Sequence, residues 1–140
     1  MKELIIPQTV KYCVQDNCPK ASQCVRHMLY VNNTQDKPSI MVLNPLLTPF
    51  NTDGCPHFRA YKTVRYARGF RNIYNAIPVQ FAKKFWATIP SITSESMYYR
   101  MKRGDNLIPP SLQQEILDAA RRLGVPPAVE FDAYCEVLDV

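Results

Sequence analysis

Apolar residues recur three and four apart in four stretches of the chain, and alternate with polar ones in two others. From Lys20 to Val31 the apolar positions are Ala21, Cys24, Val25, Met28 and Leu29, which predicts a helix entered through Asn17, Cys18 and Pro19. A second stripe, Phe81, Ala82, Phe85, Trp86 and Ile89, predicts a helix over 78–88 with Pro78 at its start, Lys83 and Lys84 on its polar side and Pro90 ending it. A third helix is expected over 93–103. Thr93 is its N-cap, Glu95 lies in the first turn, Lys102 and Arg103 in the last, and Gly104 is its C-cap. A fourth begins at Ser111, whose spacing to Gln114 is a capping box. It buries Leu112, Ile116, Ala119, Ala120 and Leu123 and ends at Gly124. Strand patterning marks roughly 59–67, closed by Gly69, and the segment AVEFDAYCEVL near the C-terminus. IMVL at 40–43 reads as a further short strand.

Charge is sorted along the chain. Lys and Arg number five against four Asp and Glu up to His57, ten against one from Phe58 to Gly104, and two against seven from Asp105 to Val140. So concentrated a positive segment repels itself unless the acidic C-terminal segment folds beside it or a polyanionic partner binds it. The two predicted strands carry these opposite charges, with Arg59, Lys62 and Arg65 on one and Glu130, Asp132 and Glu136 on the other, so they are expected to pair.

With 140 residues the chain can bury a core without cross-links. MKELIIPQTV lacks the apolar run and cleavage site of a signal peptide. IMVLNPLL falls well short of the ~20 residues that span a bilayer. A cytoplasmic protein without a membrane role is expected. There, an odd number of cysteines reads as thiols or metal ligands rather than as disulfides.

Four of the five cysteines, Cys13, Cys18, Cys24 and Cys55, lie in the N-terminal part with four, five and thirty intervening residues. Four thiolates make the tetrahedral sulfur site that zinc accepts, with His57 as the alternate ligand in place of Cys55. An iron–sulfur cluster is the alternative cofactor, although no glycine precedes Gly54 to help backbone wrap a cluster. Cys135 reads as a small core hydrophobe. Enzyme readings have less to stand on. Cys24 and His27 lie three apart on a predicted helix, but no residue is placed to orient the imidazole, and glycine-rich phosphate loops and paired carboxylates are missing.

The helices expected over 78–88 and 93–103, closely connected and followed by a third, have the order of a helix-turn-helix. The stretch SITSESMYYRMKRGDNLIPPSLQQEILDAARRLGV resembles the recognition helix and following helix of repressor-type helix-turn-helix domains, so that segment 78–124 as a whole is similar to them. The cysteine cluster, the CPHFR stretch and YYRMKRG together resemble a family of short, uncharacterised Cys-containing Bacteroidetes proteins, which implies no activity.

The expected fold is therefore α+β: a helix-turn-helix-like helical core with a small two-stranded antiparallel ribbon, and a Cys-rich, metal-stapled N-terminal part. Residues 1–57 and 58–140 form its two parts within one compact unit. On the 93–103 helix Met97, Met101, Ser94 and Tyr98 face inward, and Ser96, Tyr99, Arg100 and Arg103 form the outward stripe. With Lys83, Lys84, Lys102, Arg65 and Arg68 these are the candidate nucleic-acid contacts, because arginine forks match guanine edges and phosphates. The expected function is regulatory DNA binding with a structural zinc site. The alternatives are an adaptor for an acidic protein partner and a thiol or iron–sulfur redox protein.

Overall fold

The computed structural model describes residues 4–47 and 55–140. Strand β1 (Leu4–Ile5) is followed by a 3-10 turn at Ala21–Gln23, helix α1 (Val25–Asn33), strand β2 (Thr63–Arg68) and helices α2 (Arg71–Ala76) and α3 (Val79–Ala82). A 3-10 turn at Phe85–Thr88, helix α4 (Glu95–Arg103), strand β3 (Leu107–Ile108), helix α5 (Pro110–Arg122) and strand β4 (Ala133–Leu138) complete the order. The chain divides into two compact units, residues 65–136 and residues 4–64 with 137–140. No described helix is long and apolar enough to cross a membrane.

Three parts of the expected architecture are corrected. The two-stranded antiparallel ribbon is instead a four-stranded sheet in the order β1-β4-β2-β3. The basic and acidic strands are hydrogen-bonded neighbours in it, and β3 pairs antiparallel with β2, Ala67 opposite Ile108 and Arg68 opposite Leu107. Two-residue strands such as β1 and β3 carry no alternation to read, which is why only the longer pair shows in the sequence. The expected ion pairing between β2 and β4 is replaced by stacking: the Arg65 guanidinium lies 3.6 Å over the Tyr134 ring.

The helix-turn-helix-like core is the second correction. The helix expected over 78–88 breaks into four-residue α3 and the 3-10 turn, separated by Lys83 and Lys84. Its apolar stripe is not buried as a whole. Phe85 is fully buried, but Val79 is 90% and Phe81 41% exposed, so too little packing supports a helix of a length that is unstable alone. A helix-turn-helix needs that first helix intact, and here it is not.

The third correction concerns the metal staple. Among the described residues no group of three or more His, Cys, Asp and Glu side chains stands ready to hold a metal ion. The N-terminal unit instead has an apolar core of its own in Val10, Tyr12, Val25, Leu29 and Leu138. Burial of each such large side chain contributes about 1.5–3 kcal/mol to holding the unit. The helix expected from Lys20 also starts later. The Val25 amide donates to the Arg59 carbonyl at 2.7 Å, and Cys24 is extended (φ −92°, ψ 120°) between the 3-10 turn and α1. IMVL is reduced to an isolated parallel bridge between Tyr12 and Val42.

Helices α4 and α5 follow their local signals closely. The N-cap of α4 is Ser94, one residue after Thr93, and its Oγ accepts from the Met97 amide at 3.2 Å. Gly104 ends the helix at φ +92°, with its amide turned back to the Arg100 and Met101 carbonyls. Helix α5 starts at Pro110, and Gln114 donates to Asp118 at 2.8 Å instead of closing a capping box. Gln113 secures the helix to the sheet by donating to the carbonyls of Arg65 (3.0 Å) and Ile108 (2.9 Å).

Tyr98 is central to the core of the 65–136 unit. It is 2% exposed, with edge contacts to Phe70 (centroids 5.3 Å apart) and Phe85 (6.4 Å). Its buried hydroxyl has no hydrogen-bond partner among the described residues, and burial drives its pKa well above the tyrosine range. Leaving such a group unsatisfied costs about 1–3 kcal/mol. Tyr98→Phe keeps the ring contacts and removes the orphan, so it is expected to stabilise the protein by about 1 kcal/mol in denaturant unfolding. A loss of stability in that variant would mean that the hydroxyl has a partner.

Candidate functional site

Four thiols from separate local structures meet at one cavity. Cys13 follows the bridge residue Tyr12, Cys18 lies in a turn whose amide donates to Gln15, Cys24 joins the 3-10 turn to α1, and Cys55 opens the segment leading to β2. All four line a cavity of about 20 Å³, together with His57, and none is in a disulfide. Burial pushes the Cys13 thiol above its ordinary pKa and a hydrogen bond from the Gln15 backbone opposes this. Cys24, Cys18 and Cys55 then add to the rise, which places all three within electrostatic reach of Cys13. The predicted cysteine set is thus brought together, although its side chains have not closed into a ligand group. Cys135, on β4, is not among the lining residues.

Two residues of α1 hold the loops around this cavity. Arg26 donates from Nε to the His57 carbonyl (2.9 Å) and from Nη1 to the Lys11 carbonyl (3.0 Å), which ties the CPH segment to the chain just before Cys13. Burial and then Arg59 lower the Arg26 pKa, while Cys24, Cys13 and Cys55 raise it, so its charge also faces the thiols. His27 is buried, with Nδ1 3.0 Å from the Cys13 carbonyl and Nε2 3.3 Å from Asp16 Oδ1. Both ring nitrogens are thereby engaged in shaping the 13–16 loop. That leaves neither to act as a base toward Cys24.

The second cluster lies on α2 and α4. Ser96, Tyr99, Arg100 and Arg103 are all exposed on α4 while Tyr98 and Met101 are buried, as its periodicity predicts; Ser94 is exposed at the cap rather than inward. Arg100 is held along the helix by Ser96, its Nη2 3.2 Å from Ser96 Oγ, and Arg103 pairs with Asp105 at 3.0 Å. Tyr99, Lys102 and Arg103 line a cleft of about 360 Å³ with Arg71, Tyr74 and Asn75 of α2. The Lys102 ammonium lies 3.9 Å over the Tyr74 ring and 5.1 Å from that of Tyr99. Burial, and then the charge of Arg71, pull the Lys102 pKa below its ordinary value.

Other predicted contacts are placed elsewhere. Lys83 and Lys84 are exposed between α3 and the following 3-10 turn, Arg65 is on Tyr134, and the Arg68 side chain runs beside Gly104. The sequence reading missed Arg71, Tyr74 and Asn75, which sit on a six-residue helix too short for a periodic signal. The available hint was RNIYNA itself, bounded by Gly69 and Pro78.

The position of α2 depends on one long-range anchor. Asp132 accepts from the amides of Arg71 (2.9 Å) and Asn72 (2.8 Å), satisfying two of the helix's first N–H groups. Phe70 N–H donates to the Lys102 carbonyl at 3.2 Å, joining the entry of α2 to the end of α4.

Residues 2–140 match the family described as "Family of unknown function (DUF6078)", and the chain belongs to it. No curated protein and no solved structure matches the chain.

The anchor sets an expectation for the cleft. Asp132→Ala should cost about 1–2 kcal/mol, as loss of a helix cap does, while Asp132→Asn, which keeps acceptor capacity, should cost less. Denaturant unfolding of the two variants beside the wild type measures the difference; equal stability of all three would show that the carboxylate does not hold α2.

Proposed function

We propose that this member of the family binds DNA, as a regulatory protein of the cytoplasm, through the cationic cleft of α2 and α4 and the exposed stripe of α4. The observation that carries this reading is the lack of internal neutralisation. Among the described residues the acidic C-terminal segment supplies one close ion pair to the basic middle, Arg103 with Asp105. Among the described residues no carboxylate pairs with Arg65, Arg68, Arg71, Lys83, Lys84, Arg100 or Lys102. An external polyanion would supply these side chains with the close partners that the fold does not.

The cleft favours phosphate over the carboxylates of an acidic protein. Arg71 can present a guanidinium fork to phosphate oxygens, and Lys102, disfavoured in its charged form by burial and by Arg71, gains from an anion beside it. Tyr99, 46% exposed, offers both a hydroxyl to phosphate and a ring face to a sugar or base. The stripe Ser96, Tyr99, Arg100 supplies the contacts that could distinguish bases.

Salt-dependent binding of labelled DNA tests the reading. Lys102→Ala and Arg71→Ala should each weaken binding to all sequences alike and reduce the slope of log affinity against log salt by about one. Arg100→Ala should cost about 1–3 kcal/mol and relax preference at one base position, and Tyr99→Phe should be mild. Absence of salt-sensitive binding at low ionic strength, or unchanged binding by both cleft variants, would overturn it in favour of the acidic protein partner.

A further inference from the structure

We infer that Cys13, Cys18, Cys24 and Cys55 bind a single zinc ion in the cavity they line. This goes beyond the DNA-binding reading and stands or falls separately from it. The argument begins with convergence. The four residues span 43 positions of sequence, sit in four different local structures, and yet border one space. Hydrophobic burial accounts for Cys24 but not for the half-buried Cys13, Cys18 and Cys55, and the main apolar cluster of the unit is Val10, Tyr12, Val25, Leu29 and Leu138.

The cavity and its donors suit a single ion. About 20 Å³ holds one water-sized body. The donor set is all thiol, and zinc imposes no d-electron geometry, so it accepts whatever near-tetrahedral arrangement the loops allow. Aliphatic and aromatic walls at Leu43 and Phe58 limit competition from water.

Charge and proton balance are also provided for. Each thiol releases its proton to solvent on binding, and four thiolates around a dication leave a net charge of two minus. Arg26 lines the same cavity, where its guanidinium would offset that charge. Arg26 and His27 act as positioning residues. One ties the segment beginning at Cys55 to Lys11, and the other holds the Cys13 carbonyl and Asp16. The ion would add its bonds to a unit that also has an apolar core.

The test uses the full chain, purified under reductant, stripped with a chelator and titrated with zinc alone against a chromophoric competitor. One zinc per chain is expected, with no colour. Cobalt in its place should give thiolate-to-metal charge transfer and the visible bands of a tetrahedral site. Alkylation mapped by mass spectrometry should show zinc protecting Cys13, Cys18, Cys24 and Cys55 but leaving Cys135 as reactive as before; this comparison needs no variant. Cys13→Ser or Cys24→Ser should lower zinc affinity by more than about 100-fold, beyond what loss of a supporting residue does, and Cys135→Ser should leave it unchanged. The inference is overturned by failure to take up zinc or cobalt, by equal alkylation of all thiols with zinc present, by a coloured iron-loaded protein, or by disulfides joining the four residues under reductant.

Discussion

The carboxylate of Asp132 holds together a junction on which the 65–136 unit depends. It accepts the first amides of α2, while its own amide donates to the Gly69 carbonyl at 3.0 Å. Gly69 adopts φ +79°, and a Cβ there would come within 2.7 Å of Asp132 Oδ2, so both backbone freedom and lack of a side chain are needed. The turn leads directly from β2 into Phe70, whose ring is fully buried against Tyr98 and whose amide joins the end of α4. One carboxylate thus links the sheet, the aromatic core and the two helices that form the cationic cleft.

That arrangement leaves charge to be dealt with. Burying part of Lys102 between tyrosine rings, with Arg71 nearby, costs free energy in the charged form, and cation–π contact with Tyr74 offsets some of it. The β2 arginine that might have met an acid stacks on Tyr134 instead. The result is a positive surface organised by aromatic contacts rather than by ion pairs. On the DNA-binding proposal, such a surface would keep its hydrogen-bond donors available to phosphate, as pairing with internal carboxylates would not.

The cysteine cavity follows a different logic. Its walls are loops, and loops need their backbone groups satisfied; Arg26 and His27 do this by bonding carbonyls at residues 57, 11 and 13. Those bonds bring the two cysteine-bearing segments together while the apolar core lies elsewhere in the unit. A zinc ion in this setting would couple metal affinity to the order of the loops that carry its ligands.

Local signals were legible where the free energy itself is local. The C-cap and apolar face of α4, the buried positions of α5 apart from the half-buried Leu123, the basic strand before Gly69, though it starts at Thr63 rather than near Arg59, and the identity of the four clustered cysteines can be read within short windows, because capping, periodicity and thiol chemistry act there. Tertiary structure alone decided what happened to the 78–88 segment, where good helical spacing gave way with Val79 left exposed and Phe81 only partly covered. It also decided that Cys24 would leave the helix when Arg59 claimed the Val25 amide, and that Arg71 and Tyr74 would face Lys102 across a cleft. Each of these rests on partners about thirty or more residues away: Arg59 for Val25, Asp132 for α2, and α4 for the tyrosine of α2, with only the last of them slightly nearer. No residue window shows them, because such contacts exist only after the chain has met the entropy cost of closing the intervening loops.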